Sequence, residues 1–458
     1  MAGIGFELRK LLRQDTLLGM LRAYAYAGVI GSGPWVLSII GILIVGLISL
    51  GVVSPAVAVT QFQVTVTYII AFSLVLTGTL QLAFTRFCAD RLFEEREDMI
   101  LPNFGGVTLL VTLVSGVLAL LAALFLFPGQ SVLFRAVLVA CFVVVSNIWI
   151  ATIFLSGMKQ YRSIVLLYGV GYGITVGAAF LLRGFDLEGL LLGYLIGQST
   201  LLSGMLVLIL RGYPSKRSVA FQLFDRRWLY PSLVLVGLFF NAGVWADKFI
   251  FWMDASTGSP VIGPLRASLI YDIPVFLSYL SLIPGMAVFL VRMETDFVEY
   301  YSNFYDAVRK GGSLSYIEDM RNQMAATIRV GIFEILKIQA IAALLLITVA
   351  GDIFRLLGIS ELYLPLLRVQ LAATALQMVF LAIINVFCYL DQRRILVLLT
   401  GLFLVLNVVF TLISLQLGPQ FFGFGFLLAL AVSVGLGLWL VQRSMGRLEY
   451  QTFMLRSG

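Results

Sequence analysis

The chain has 458 residues, 60% of them hydrophobic and 12% charged, with a formal net charge of +7 and no histidine. So apolar a chain excludes the soluble globular classes, and the missing imidazole excludes histidine metal ligands and histidine proton relays. The basic excess follows a topological pattern along the chain and does not point to nucleic acid.

Residues 1–22 come first. Leu8, Leu11, Leu12, Leu18 and Leu21 share one helical face, with Arg9, Lys10, Arg13 and Arg22 mostly elsewhere, which predicts a helix lying on the inner leaflet. This segment is charged and amphipathic and lacks a signal-peptide cleavage pattern. A hydrocarbon core of ~30 Å needs about 20 apolar residues per helix. Stretches of that order follow at 23–50, 60–85, 103–128, 131–157, 163–183, 187–210, 231–253, 268–291, 330–350, 364–390, 395–417 and 421–441. The expected fold class is therefore an all-α polytopic membrane protein with 12 transmembrane helices in two six-helix bundles.

The first stretch contains Gly31-Ser32-Gly33-Pro34-Trp35. Proline removes a helical hydrogen bond and the glycines soften the backbone beside it, so Gly31, Gly33 and Pro34 are candidate hinge residues. Further on, Gly169, Gly173 and Gly177 recur on the fifth span and Gly189, Gly193 and Gly197 on the sixth, which predicts close helix packing. Residues 211–230 split the spans into an N-terminal bundle, 23–210, and a C-terminal bundle, 231–441. A weak internal echo, Ala27-Gly28-Val29 against Ala242-Gly243-Val244, favours a parallel duplication. Residues 292–325 form the longest connection, with two predicted helices around Gly311-Gly312, and 442–458 form a tail. In that connection Phe297, Tyr300, Tyr301, Phe304 and Tyr305 read either as part of a solvated connector or as a docking surface for a cytosolic enzyme.

Lysine and arginine orient the chain. They concentrate in 1–22, 86–96, 159–162, 211–227, 292–321, 393–394 and 443–456, whereas the alternate connections hold only Arg183, Arg266 and Arg355. By the positive-inside rule both termini, 211–230 and 292–325 face the cytoplasm. The setting expected is the inner membrane of a bacterium.

Ionisable groups inside spans are costly, so each is a candidate site. Arg329, Glu334 and Lys337 open the ninth span, where pairing of the last two and snorkelling compete with a functional reading. Arg135, Asp247, Lys248, Asp272 and Arg368 lie toward the outer ends, where an internal pair such as Lys248 with Asp272 competes with a polar lining for a pathway. The middle of the membrane carries neutral amides, among them Asn241, with Tyr24, Tyr26, Trp35 and Trp245 placed to offer stacking faces. Amides there serve helix packing or, alternatively, an uncharged sugar chain. Cys88, Cys141 and Cys388 lack metal-ligand spacing, and no metal or other cofactor is expected.

MAGIGFELRKLL at 1–12, YAYAGVIGSGPWVLS at 24–38 and FNAGVWADKFIFW at 240–252 resemble the PelG family, and the resemblance extends over the full chain in length, span count and loop pattern. It implies the superfamily of polysaccharide exporters, lipid-linked oligosaccharide flippases and multidrug extruders, whose two bundles flank a central cleft that opens alternately to each side. It further implies an assembly with PelD, PelE and the glycosyltransferase PelF that exports an N-acetylgalactosamine-rich polymer. A flippase or ion-coupled small-molecule antiporter of the same fold is the alternative. A membrane-embedded glycosyltransferase would need an acidic cluster in a large loop, and Glu94, Glu95, Glu97 and Asp98 alternate with arginine as a solvated turn does.

Overall fold

The computed structural model describes residues 17–49, 57–356 and 360–454, apart from positions 159, 214, 216 and 226. The expected surface helix at 1–22 thus falls almost wholly outside the described residues. The rest is helical: α1 Leu17–Ser49, α2 Val57–Phe93, α3 Ile100–Phe125, α4 Val132–Gly157, α5 Tyr161–Leu182, α6 Asp186–Gly212, α7 Pro231–Met253, α8 Leu269–Leu280, α9 Leu282–Val291, α10 Phe297–Arg309, α11 Leu314–Leu356, α12 Leu364–Tyr389, α13 Arg393–Leu417, α14 Phe424–Met445 and α15 Leu448–Met454. A two-stranded antiparallel hairpin, β1 Ser259–Ile262 and β2 Leu265–Ala267, joins α7 to α8, turning through Gly263 at φ +52°.

Among the described residues ten helical segments are long and apolar enough to cross a membrane, or eleven if the bent α1 is one span. The expected twelve differs from that count at Tyr161–Gly212, which enters it once. Its halves, α5 and α6, lie side by side. A Cβ on Gly193 would fall 2.4 Å from the backbone of Ala179, and one on Gly197 would fall 2.6 Å from the Gly171 carbonyl. The glycines of α6 therefore pack as their spacing predicts. Those of α5 do not: positions 169, 173 and 177 meet nothing within 4 Å, and Gly171 takes the contact with α6.

The chain forms two compact units, one of residues 33–269 and one of residues 1–32 with 270–458. Within the first of these α7 packs with α2. Gly78 and Gly237 make that crossing possible: a Cβ on Gly237 would lie 1.9 Å from the Gly78 carbonyl oxygen. In the same unit Phe84, Phe104 and Phe154 stack between α2, α3 and α4 at centroid distances of 4.8–6.3 Å.

The connection after α6 is strapped down in this unit. The Ala220 amide donates to the Pro102 carbonyl at 2.7 Å, and the Leu223 amide donates to Oδ1 of the buried Asn103 at 3.0 Å. Gly105 and Gly106 let it approach, since a Cβ on either would sit about 2 Å from a carbonyl oxygen of the strap. Trp228 covers the fully buried guanidinium of Arg91 at 3.5 Å, and Arg91 also pairs with Glu94 at 2.8 Å. A desolvated arginine is tolerated because it has both a carboxylate and an aromatic face.

In the other unit α8 and α9 form one broken span, with Pro274 inside α8 and a break at Ser281. Leu277, Ala350, Phe354, Leu367 and Leu371 build the core shared by α8, α11 and α12. The segment after α9 is a π-turn, Arg292–Asp296, which leads without a loop into α10. The two helices expected around Gly311-Gly312 are α10 and the start of α11, and Gly311 takes φ +67° at the corner. Here α11 runs unbroken from the connection into the ninth apolar stretch, a single helix of 43 residues.

Candidate functional site

Each unit carries its own polar ensemble. In the 33–269 unit the ensemble is built on α7. Asp247 and Lys248 are both buried, and the Lys248 ammonium lies 3.2 Å from either Asp247 oxygen while donating to the Val244 carbonyl at 2.9 Å. Two opposite charges taken out of water together offset each other's desolvation, so removing one is costly to the other. Aromatic rings surround this stretch of helix. Trp252 stacks on Tyr68 at 4.6 Å, Phe249 on Phe72 at 5.0 Å, and Trp245 packs against Phe249 at 6.2 Å. Tyr68 also donates to the Arg266 carbonyl at 2.9 Å, fixing the hairpin to α2. Phe72 keeps half of its surface exposed.

Asn241 donates to the Gly237 carbonyl at 2.9 Å and sits at the α2–α7 crossing. Arg135 is half-buried in the first turn of α4. Trp35 and Pro34 lie within α1, and their side chains fall outside the described residues.

In the 1–32 and 270–458 unit, Arg292 is the organising charge. Its guanidinium holds Glu334 of α11 through two hydrogen bonds of 2.6 and 2.9 Å and Asp296 through one of 2.7 Å. The i, i+4 spacing brings Asp296 back to Arg292, and the fork of the guanidinium explains the bidentate contact. Tyr24 of α1 lies within electrostatic range of all three groups. Glu334 is thus spent on Arg292, and the expected Glu334–Lys337 pair gives way; Lys337 sits over the Phe333 ring at 4.9 Å.

One residue of the π-turn was not anticipated. Glu294 is 2% exposed, and its two oxygens accept from the Asn385 amide at 2.7 Å and the Tyr389 hydroxyl at 2.8 Å, both on α12. Both donors are neutral, and the charge of neighbouring Arg292 is already matched by two other carboxylates. The sequence held a signal for it: Glu294 shares a helical face with Leu290, Val291, Phe297 and Val298, a lone acid among apolar residues.

Of the remaining predicted residues, Tyr26 is half-buried, Asp272 is half-buried in the first turn of α8, and Arg368 is exposed on α12. The aromatic residues of 292–325, read either as part of a solvated connector or as a docking surface, are packed to different degrees. Phe297 and Phe304 are fully buried, and Tyr301 packs on Phe297, Tyr305 and Tyr389 with centroids 4.7–6.2 Å apart. Tyr300 and Tyr305 are half-buried. These rings seat α10 on its own unit. Among the described residues no group of three or more acids or thiols is placed to hold a metal ion.

The family model described as "PelG: Putative exopolysaccharide Exporter (EPS-E)" matches residues 1–453. The chain belongs to the PelG family. The fold is that of known transporters. An outward-facing multidrug resistance MATE transporter of the MOP superfamily superposes with a TM-score of 0.66 at 14% identity, covering 93% of this chain and 95% of that one. A MOP superfamily transporter from Pyrococcus furiosus, described as having a binding pocket of reversed polarity, gives 0.64 at 14% identity over 93% and 96%. An inward-facing MATE transporter gives 0.60 at 14% identity over 92% and 96%. No curated protein matches the chain. PelG membership and this fold are those of a polytopic membrane transporter.

Proposed function

We propose that this chain is the inner-membrane exporter of the Pel exopolysaccharide, an N-acetylgalactosamine-rich polymer, working by alternating access within an assembly that includes PelD, PelE and PelF. The observation that carries the reading is the family match over residues 1–453 on a MOP-type fold. The chemistry of α7 supports it. Rings of Trp245, Phe249 and Phe72 stand beside an ion pair whose charges cancel, and sugar rings stack on aromatic faces without needing a counter-charge. Both termini face the cytoplasm in this reading, as the basic residues require.

The test is secretion by cells in which the chromosomal copy is replaced. Trp245→Ala and Phe72→Ala should each reduce secreted polymer, read by an N-acetylgalactosamine-specific lectin, at unchanged protein abundance. Tagged protein should co-purify PelD, PelE and PelF. Full secretion by the double variant would remove the aromatic cluster from the pathway.

A second reading, an ion-coupled antiporter of small molecules or lipid-linked units, draws on Glu294, a buried carboxylate that accepts from the neutral Asn385 and Tyr389 side chains. Transport by reconstituted protein that follows an imposed proton or sodium gradient, and stops in Glu294→Gln, would favour it.

A further inference from the structure

A groove of about 510 Å³ runs between α11 and α14. Its chemistry is layered. Arg321, Asn322 and Arg329 of α11 line one end together with Gln442 of α14, and Phe333, Leu336, Leu438 and Val441 line the rest. From Arg321 to Leu336 the helix rises about 22 Å, so the groove passes from cationic groups to a purely apolar wall over the depth of one leaflet. Phe333, at 62% exposure, is left bare along it.

Arg321 shares its charge with Glu449 at 3.3 Å. Arg329 has no acidic partner among the described residues; its one hydrogen bond is a long contact of 3.4 Å to the Ala325 carbonyl of its own helix. The groove therefore offers an uncompensated guanidinium above an apolar slot. A second apolar groove of similar size, between α5 and α6, is lined by no charged residue.

We infer that the α11–α14 groove is a binding site for one phospholipid of net negative headgroup, its phosphate on Arg329 and its chain along Phe333, Leu336 and Leu438. A phosphate supplies the paired acceptors that a guanidinium takes. A headgroup carrying an ammonium would bring a like charge against Arg329, which sets the preference for an anionic lipid. A free anion would satisfy the arginine but leave the apolar wall uncovered.

Full-length protein reconstituted in equal phosphatidylglycerol and phosphatidylethanolamine, then extracted gently, is read by native mass spectrometry for retained lipid. Wild type should retain phosphatidylglycerol about fivefold over phosphatidylethanolamine, the scale set by one basic residue at a membrane surface. Arg329→Gln should bring the ratio near one, and Arg329→Lys should keep most of it. Leu438→Trp, which fills the slot, should lower retention of both lipids. Unchanged thermal unfolding in detergent shows that each variant is folded. Retention in proportion to the bulk, or an unaltered ratio in Arg329→Gln, overturns the site. Equal protection by inorganic phosphate without lipid assigns the groove to a free anion and overturns it as well.

Discussion

Asn385, from α12, donates its side-chain amide to Glu294 at 2.7 Å across 91 residues of sequence, and the carboxylate it reaches is sealed from solvent. Removing the acid is expected to cost more than neutralising it. Glu294→Ala leaves the Asn385 and Tyr389 donors buried without an acceptor, about 1–3 kcal/mol for each, whereas Glu294→Gln keeps an acceptor for one. Thermal unfolding should rank wild type, then Gln, then Ala. Equal stability of Gln and Ala would show that the donors find other partners.

The α2–α7 crossing should be intolerant of a single methyl group. Gly237→Ala places a carbon 1.9 Å from the Gly78 carbonyl and must push the helices apart, a change costing about 1–3 kcal/mol. Gly169→Ala, where a Cβ meets nothing within 4 Å, is expected to leave folding unaltered. Detergent-solubilised yield and melting temperature of the two variants compare them directly.

For the pair on α7, Lys248→Ala removes the ammonium that faces both Asp247 oxygens at 3.2 Å and should lower the melting temperature. The double replacement Asp247→Asn with Lys248→Gln removes both charges and should recover much of that loss. Asp272→Ala should lower secretion at normal abundance if this residue lines the pathway. A double variant as unstable as the single one would mean that the two charges act independently.

Within α1, Gly33 and Pro34 lie next to the boundary between the two compact units. A Cβ on Gly33 would meet Val165 at 3.4 Å, ordinary contact, so Gly33→Ala should stiffen the backbone there without a clash. Pro34→Ala restores a backbone donor there. Both variants should insert normally and secrete less polymer, and spin-label distances should show one state over-populated. A wild-type distance distribution with full secretion would confine these residues to packing.

Topology is open to single-cysteine labelling in intact cells. Cysteines at Ser218 and Gly312 should resist an impermeant reagent applied outside and react after permeabilisation, as the basic flanks of both segments require. Reaction from outside at either position would invert the scheme.

Apolar length made the helices readable, because a membrane span needs nothing subtler than about 20 hydrophobic residues. What α5 and α6 do with their glycines was legible only in part. Spacing identifies a face but not which face turns to the partner, and Gly171 rather than Gly169 or Gly173 proved to be the contact. The strap at 218–228 was invisible for another reason: its anchors, Asn103 and Arg91, are ordinary polar residues whose partners lie in another part of the chain. That Phe297 and Phe304 are buried was not legible either, because aromatics enriched at protein contacts serve internal contacts equally well. Glu294 could have been found from its apolar face, but more conspicuous charges outranked it.

The unbroken helix α11 has a mechanical consequence. Its 43 residues make a rod of about 65 Å, roughly twice the thickness of the hydrocarbon core. A rod of this kind has no joint at the membrane surface to absorb a push. Force applied near Leu314 by anything that grips the connection is delivered, undiminished by a flexible loop, to Leu356 at the far end. Arg292 clamps it partway along through Glu334, as a fulcrum would. A displacement of the helix at one of its ends is thereby carried to the other by the helix itself.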